Sequence, residues 1–188
     1  MTKLAILSIM LFGLTISKVN AQSRVFKPFK VDLGMTTVFP TGGIPGNGNG
    51  FYFSPIWNLG DNFSTGPRLQ YAYIKPGDVN YISSYLNDEI TDLVSLLSVS
   101  DIYFSRQRTR FFIGFGFGLY GQTQTWKTVS LRSVDFYSES LVSFGIMPRF
   151  GFSVGHFKMT AQYNMTGDEM HDYLDFTLGL EIGGGRYR

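Results

Sequence analysis

Cysteine is absent from all 188 residues. Its absence excludes a disulfide scaffold, a zinc site built on thiolates and an amino-terminal lipidated cysteine. Charge is scarce too. Asp, Glu, Lys and Arg make up 16% of the chain, against about 25% in ordinary soluble domains. The formal net charge is +2, so no global field recruits nucleic acid. Histidine and tryptophan occur twice each. Beyond residue 21 no apolar run approaches the ~20 residues of a membrane-crossing helix. Disorder is excluded from the other side, because 44% hydrophobic content favours a buried or lipid-facing chain. What abounds is Phe (18), Tyr (11) and Gly (22). These are too many rings for one small core and too few charges to cover a soluble surface.

The first segment is an address. Lys3 supplies a positive start, Leu4 to Ile16 an apolar stretch too short to span a bilayer, and Val19-Asn20-Ala21 a small-residue cleavage pattern. Residues 1–21 are therefore expected to be a cleaved signal peptide, and residues 22–188 one domain. Removing Lys3 and Lys18 leaves 14 basic and 14 acidic groups, a formally neutral chain.

That domain shows period two. In Tyr173 to Ile182, Leu174, Phe176, Leu178, Leu180 and Ile182 alternate with Tyr173, Asp175, Thr177, Gly179 and Glu181. In Phe157 to Thr166, Phe157, Met159, Ala161, Tyr163 and Met165 alternate with Lys158, Thr160, Gln162, Asn164 and Thr166. In Phe111 to Gln122, Phe111, Ile113, Phe115, Phe117 and Leu119 share one parity. Successive strand side chains point to opposite faces, so each segment reads as a strand with one greasy and one polar face. Phe29 to Phe39, Phe51 to Leu59, Arg68 to Tyr73 and Val142 to Phe152 read the same way. Leu93 to Phe104 does not: Leu97 and Val99 take one parity, Ile102 and Phe104 the other. A β-bulge near Ser100-Asp101 would reconcile them. The total is eight strands.

Connections alternate in length. Gly60-Asp61-Asn62, Ser105 to Thr109 and Gly155-His156 are short, the last with Gly at the first position of a type II′ turn. Pro40 to Gly50, Pro76 to Asp92, Thr123 to Ser140 and Gly167 to Asp172 are longer. That is the pattern of an up-and-down meander inserted from one side of a membrane. A helical turn within Tyr81 to Leu93 is left open.

Volume decides which face is outside. An eight-stranded barrel has room for side chains or one small ligand. Roughly forty large apolar residues on one face cannot fit there, so the greasy face must point outward into lipid, with Gly, Ser, Thr, Gln and Asn inside. Closure pairs every backbone group where water is absent. The expected fold is an all-β, eight-stranded antiparallel up-and-down transmembrane barrel.

With its VNAQ signal ending, the glycine-rich FFIGFGFGLYG strand and the closing YLDFTLGLEIGGGRYR strand, the chain resembles small outer-membrane barrels of the OmpX/OmpA type. It is similar in particular to the "outer membrane protein beta-barrel domain" proteins of Bacteroidota. The resemblance implies residence in the outer membrane of a Gram-negative bacterium. Barrels of this kind commonly end in an aromatic residue; here Tyr187 is penultimate and Arg188 last.

By parity Lys30, Asp32, Arg68, Arg149, Lys158, Asp175 and Glu181 point into the lumen. Charges inside a low-dielectric wall should be paired. A register for the last hairpin centred on Glu169-Met170 would place Lys158 against Glu181, and closure would bring Lys30 or Asp32 to Asp175 or Glu181. Gly114, Gly116 and Gly118 would make room for long neighbours. Trp57, Tyr71, Tyr73, Trp126 and Tyr163 are candidates for interfacial girdles.

The remaining motifs read as structure. Asp168 to Asp172 holds three carboxylates and His171 without a calcium-loop or zinc spacing, so it reads as a solvated acidic loop. The TGGIPGNGNG stretch lacks the Lys-Ser/Thr ending and the following helix of a phosphate cradle. Arg106, Arg108, Arg110, Arg186 and Arg188 gather at the short-turn end, and Asp78, Asp88, Glu89 and Asp92 at the other. His156 sits in a tight turn and His171 has no nearby serine, so no catalytic residue, metal ligand or cofactor is expected. The reading is a structural or surface adhesion and interaction protein whose partners are lipid and other outer-membrane or periplasmic proteins. Alternatives are a narrow transport pore and an accessory subunit of a larger secretion or uptake complex.

Overall fold

The computed structural model describes residues 25–41, 46–75, 89–129, 134–167 and 170–186; residues 1–21, assigned above to a signal peptide, lie outside it. Eight strands follow one another: β1 (Phe29–Pro40), β2 (Gly48–Asn58), β3 (Phe63–Ile74), β4 (Glu89–Tyr103), β5 (Thr109–Val129), β6 (Val134–Val154), β7 (Phe157–Asn164) and β8 (Tyr173–Gly183). Each pairs antiparallel with the next, and β1 pairs with β8 to close the barrel. No helix among the described residues is long and apolar enough to cross a membrane, which says nothing of strands.

Inside and outside are reversed relative to a soluble barrel. Met35, Phe51, Leu69, Phe115, Phe144, Phe176 and Leu178 are exposed on the outer wall. Lys30, Asp32, Arg68, Lys158 and Asp175 are buried inside it. A water-filled exterior would penalise the first set and a greasy interior the second; lipid outside and paired charges inside satisfy both.

Prolines mark where the ladders loosen. Pro55 and Pro67 fall opposite one another in the β2–β3 register, where ladder pairing skips from Phe53↔Leu69 to Trp57↔Thr65. Neither offers an N–H, and the Ser54 hydroxyl donates to the Pro67 carbonyl at 2.7 Å. Pro148 interrupts the β6–β7 ladder in the same way, between Arg149↔Gln162 and the bridge Ile146↔Met165.

Four expectations are corrected. β4 has no bulge: its pairing with β3 and β5 runs without interruption through Ser100 and Asp101. Leu93, Leu97 and Val99 simply point inward, where they are buried with Ile74, Tyr120 and Met147. The Thr123 to Ser140 link is mostly strand, because β5 and β6 stay paired up to Val129↔Val134. Likewise Glu89 and Asp92 belong to β4, not to a link. The β7–β8 register pairs Lys158 with Gly179, two residues away from the register that places it opposite Glu181. The open question of a helical turn in Tyr81 to Leu93 falls on residues outside the described set up to 88, and on strand from Glu89.

Candidate functional site

Parity along each strand, set by the pleat, delivers the charged side chains to one space. β1 supplies Lys30 and Asp32, β3 Arg68, β4 Asp101, β5 Arg110, β6 Arg149, β7 Lys158, and β8 Asp175 and Glu181; all nine are buried. Five are basic and four acidic.

Two linked clusters form near the short turns. In one, the Glu181 carboxylate is bound by the Lys30 ammonium, accepts from the Ser153 hydroxyl at 2.9 Å, and lies 3.7 Å from Arg110. Lys30 also donates to the Tyr103 hydroxyl at 3.0 Å. In the other, Lys158 reaches Asp101 at 2.9 Å and Asp32 at 3.2 Å. Arg149 lies 3.3 Å from Asp101, and the Tyr52 hydroxyl donates to Asp32 at 2.7 Å. Lys158 joins the clusters only loosely, 3.9 Å from Glu181. Its close partners are the carboxylates of β4 and β1, so the chief partner of Glu181 is Lys30.

Higher in the lumen, charge gives way to amides. Arg68 stacks on Tyr52 with its guanidinium carbon 3.7 Å from the ring centre and donates from Nε and Nη2 to the Gln70 side-chain carbonyl oxygen. Gln70 and Asn164 donate to Asp175 at 2.8 and 3.1 Å. Tyr120 donates to Asn164 at 3.0 Å. Among the described residues no carboxylate lies within 4.0 Å of Arg68. Above this layer Val38, Ile74, Leu93, Met170 and Tyr173 pack as an apolar cluster.

Glycine makes the room. A Cβ on Gly114 would sit 2.3 Å from the Asp101 carboxylate and 2.9 Å from Arg149 Cγ, and one on Gly179 would sit 1.9 Å from the Tyr52 hydroxyl. The space that a methyl group would take is the space that the network occupies.

Asp101 and Arg110 join the network without being among the seven residues that strand parity picks. A bulge at Ser100-Asp101 would obscure the inward direction of Asp101. Arg110 groups in sequence with the basic residues of the short-turn end, yet its guanidinium is held between the rings of Phe26 (4.4 Å) and Tyr103 (4.1 Å).

The aromatic candidates fall at two levels. Trp57 sits near the short turns, its ring 5.5 Å from that of Phe29. Tyr71, Tyr73 and Tyr163 sit near the long links, where Tyr71 donates to Asp92 at 2.7 Å and Tyr163 to Asp172 at 3.2 Å. Trp126 lies on β5 opposite Glu89; its side chain is outside the described set. Asp78, Asp88, Asp168, Glu169 and Arg188 also lie outside it, and among the described residues no cluster of His, Cys, Asp and Glu is arranged to hold a metal.

No protein-family model matches the chain, and no curated protein matches it in sequence. Solved structures do. The attachment invasion locus protein Ail of Yersinia pestis, crystallised in complex with the heparin analogue sucrose octasulfate, superposes with a TM-score of 0.50 at 14% identity, over 87% of this chain and 99% of that one. The fold is that of the small outer-membrane β-barrels. The N-terminal β-barrel domain of Pseudomonas aeruginosa OprF aligns with a TM-score of 0.48 at 14% identity, over 81% of this chain and 97% of that one. Neisserial surface protein A gives 0.43 at 10% identity, over 82% and 95%. At these identities the likeness concerns architecture alone.

Proposed function

We propose that this chain is an integral outer-membrane barrel of a Gram-negative bacterium, exported by residues 1–21 and allied to the compact Bacteroidota barrels. Its long-link end faces outward, and its role is structural or adhesive. The observation that carries the closed-lumen part of this reading is the cross-lumen bridging. Lys158 ties β7 to β4 and β1 at 2.9 and 3.2 Å, with all three side chains 1% exposed. Such a network plugs the barrel and leaves recognition to what stands beyond the wall. There the β5–β6 hairpin is prominent: its ladder runs on from Gln122↔Leu141 to Val129↔Val134, while β7 ends at Asn164. Ser138, Glu139 and Ser140 are exposed along it.

Two hydrogen bonds support a non-enzymatic role. Ser153 donates to the Glu181 carboxylate rather than to an imidazole, and the His156 Nδ1 donates to the backbone carbonyl of Glu181 at 2.9 Å.

A second reading, a narrow pore, draws on one observation. Among the described residues several buried side-chain polar atoms make no hydrogen bond, including Arg68 Nη1, Asp175 Oδ1 and the hydroxyls of Thr36, Thr160 and Thr177. Groups of that kind usually meet water.

Fractionation tests location: the protein should partition with outer membranes and run with heat-modifiable mobility, and recovery from the soluble periplasm would refute the membrane reading. Planar-bilayer recording tests the plug: steady, large conductance of the refolded barrel refutes it in favour of the pore. Partners retained through native purification in mild detergent would point instead to an accessory subunit.

A further inference from the structure

The short-turn rim holds a cavity of about 520 Å³, within the range of small-ligand sites. It is lined by Arg108, Arg110, Arg186, Gln107, His156 and Phe26 together with glycines. Three of those glycines come from the end of β8 and the residues after it. Gly183 (φ +86°) and Gly184 (φ +63°) adopt left-handed conformations that side-chain-bearing residues rarely take. They turn the chain so that the Gly185 carbonyl accepts from the Lys27 N–H at 2.9 Å. A Cβ on Gly185 would meet nothing within 4 Å.

The walls are held in place. The Gly155 N–H donates to the Arg108 carbonyl at 3.1 Å, fixing one short turn on the next. Arg110 forms the back, clasped between Phe26 and Tyr103. His156 uses Nδ1 on the Glu181 carbonyl, which leaves Nε2 as its remaining polar atom. Glu181 is the single carboxylate of the lining, and it already engages Lys30 and Arg110. Neighbouring Asp61 instead pairs with Arg106 at 3.6 Å and accepts from the Val25 N–H. Among the described residues, Arg108 and Arg186 make no ion pair. Two unneutralised guanidiniums, with a third behind them, line a concave site with an imidazole and an amide.

The geometry points to a binding site for a phosphate group at the short-turn end of the barrel, gripped by Arg108 and Arg186. Guanidinium forks match phosphate oxygens, and the group's charge and several acceptors use more of this donor set than a carboxylate would. The phosphate arrives on a soluble ester or on the headgroup of an adjacent anionic lipid. The site is independent of whether the lumen conducts and of what the long links bind.

The test uses the refolded mature barrel in a phosphate-free nonionic detergent, titrated with inorganic phosphate and followed by amide NMR. The amides of Gly155, Gly183, Gly184 and Gly185 should shift saturably. Arg108→Gln and Arg186→Gln should each weaken binding about tenfold, the loss of one charge-assisted hydrogen bond. Arg106→Gln, whose partners are Asp61 and Asn62, should leave it unchanged. Gly185→Leu, whose Cβ meets no neighbour within 4 Å and whose side chain takes up space at the cavity lining, should abolish it. Nanodiscs separate the sources. Shifts that appear in phosphatidylglycerol discs without added phosphate identify the lipid headgroup; a response only to added phosphate identifies a soluble ester. No saturable shift in either setting, or shifts that persist in the Arg108→Gln/Arg186→Gln double variant, would overturn the proposal.

Discussion

Near the short turns the lumen is held by charge: Lys30, Asp32, Asp101, Arg110, Arg149, Lys158 and Glu181 meet across it within a few residues of the turns. Near the long links it is held by volume: Val38, Ile74, Leu93, Met170 and Tyr173 pack together, with Asn164, Gln70 and Asp175 beneath them. The two halves should fail differently. A buried ion network is worth little against an apolar substitute of the same shape, but a single missing partner leaves a charge stranded. An apolar cluster loses stability in proportion to the atoms removed, with no partner to strand.

The largest effect is expected in the charged half. Lys158 faces Asp101 and Asp32, so Lys158→Met should cost ~3–5 kcal/mol. The double change Lys158→Met/Asp101→Asn should cost less than the sum of the single changes, because each neutralises the other's orphan. Urea unfolding of the folded barrel in lipid reads both, and strict additivity would show that these residues are not partners. In the wall between the halves, Phe115→Arg and Leu178→Arg place a cation on the exposed outer face and should each cost ~2–4 kcal/mol at mid-membrane, with Gln162→Arg milder because it faces the lumen. If the lumen change proved worse, the outer wall would not face lipid. In the apolar half, Leu93→Ala should cost about 2 kcal/mol by transfer and cavity formation. It should add simply to Lys158→Met, since the two sites share no partner. Coupling between them in a double-mutant cycle would dissolve the division into halves.

The strand pattern could be read from sequence because lipid imposes it. A wall with hydrocarbon on one side and a polar lumen on the other writes period two into every segment, and the seven charged residues picked by parity all lie buried. Legibility failed where that contrast fails. Toward the long-link ends of β5 and β6 the alternation of greasy and polar residues fades, so Thr123 to Ser140 reads as a link although the two strands stay paired up to Val129↔Val134. In β4 the greasy residues Leu93, Leu97 and Val99 belong to the lumen. Taking greasy to mean outward required a bulge at Ser100-Asp101, and with it Asp101 lost its place in the network. The hairpin register was hidden for another reason: the link between β7 and β8 is long enough to allow more than one centre, and Lys158 finds its partners on β4 and β1 rather than on β8.

The smallest expected effect sharpens the same comparison by moving an ion pair out of the lumen. Arg106 and Asp61 lie 3.6 Å apart near the short turns, close to the charged network, but the arginine side chain is 63% exposed. Water screens the attraction, and holding two mobile side chains in one geometry costs entropy. The surviving Asp61 keeps the Val25 N–H as a donor, and Asn62, which accepts from Arg106 at 3.2 Å, keeps its own bond to the Tyr103 carbonyl, so no buried charge is stranded. Arg106→Gln should therefore change stability by less than about 0.5 kcal/mol, and raised salt should erase even that. The charge removed is the same as in Lys158→Met; only its distance from water differs. If Arg106→Gln proved as costly as the lumen substitution in the same urea titration, burial would not be what gives the inner network its leverage, and the contrast between the two halves would need a different physical basis.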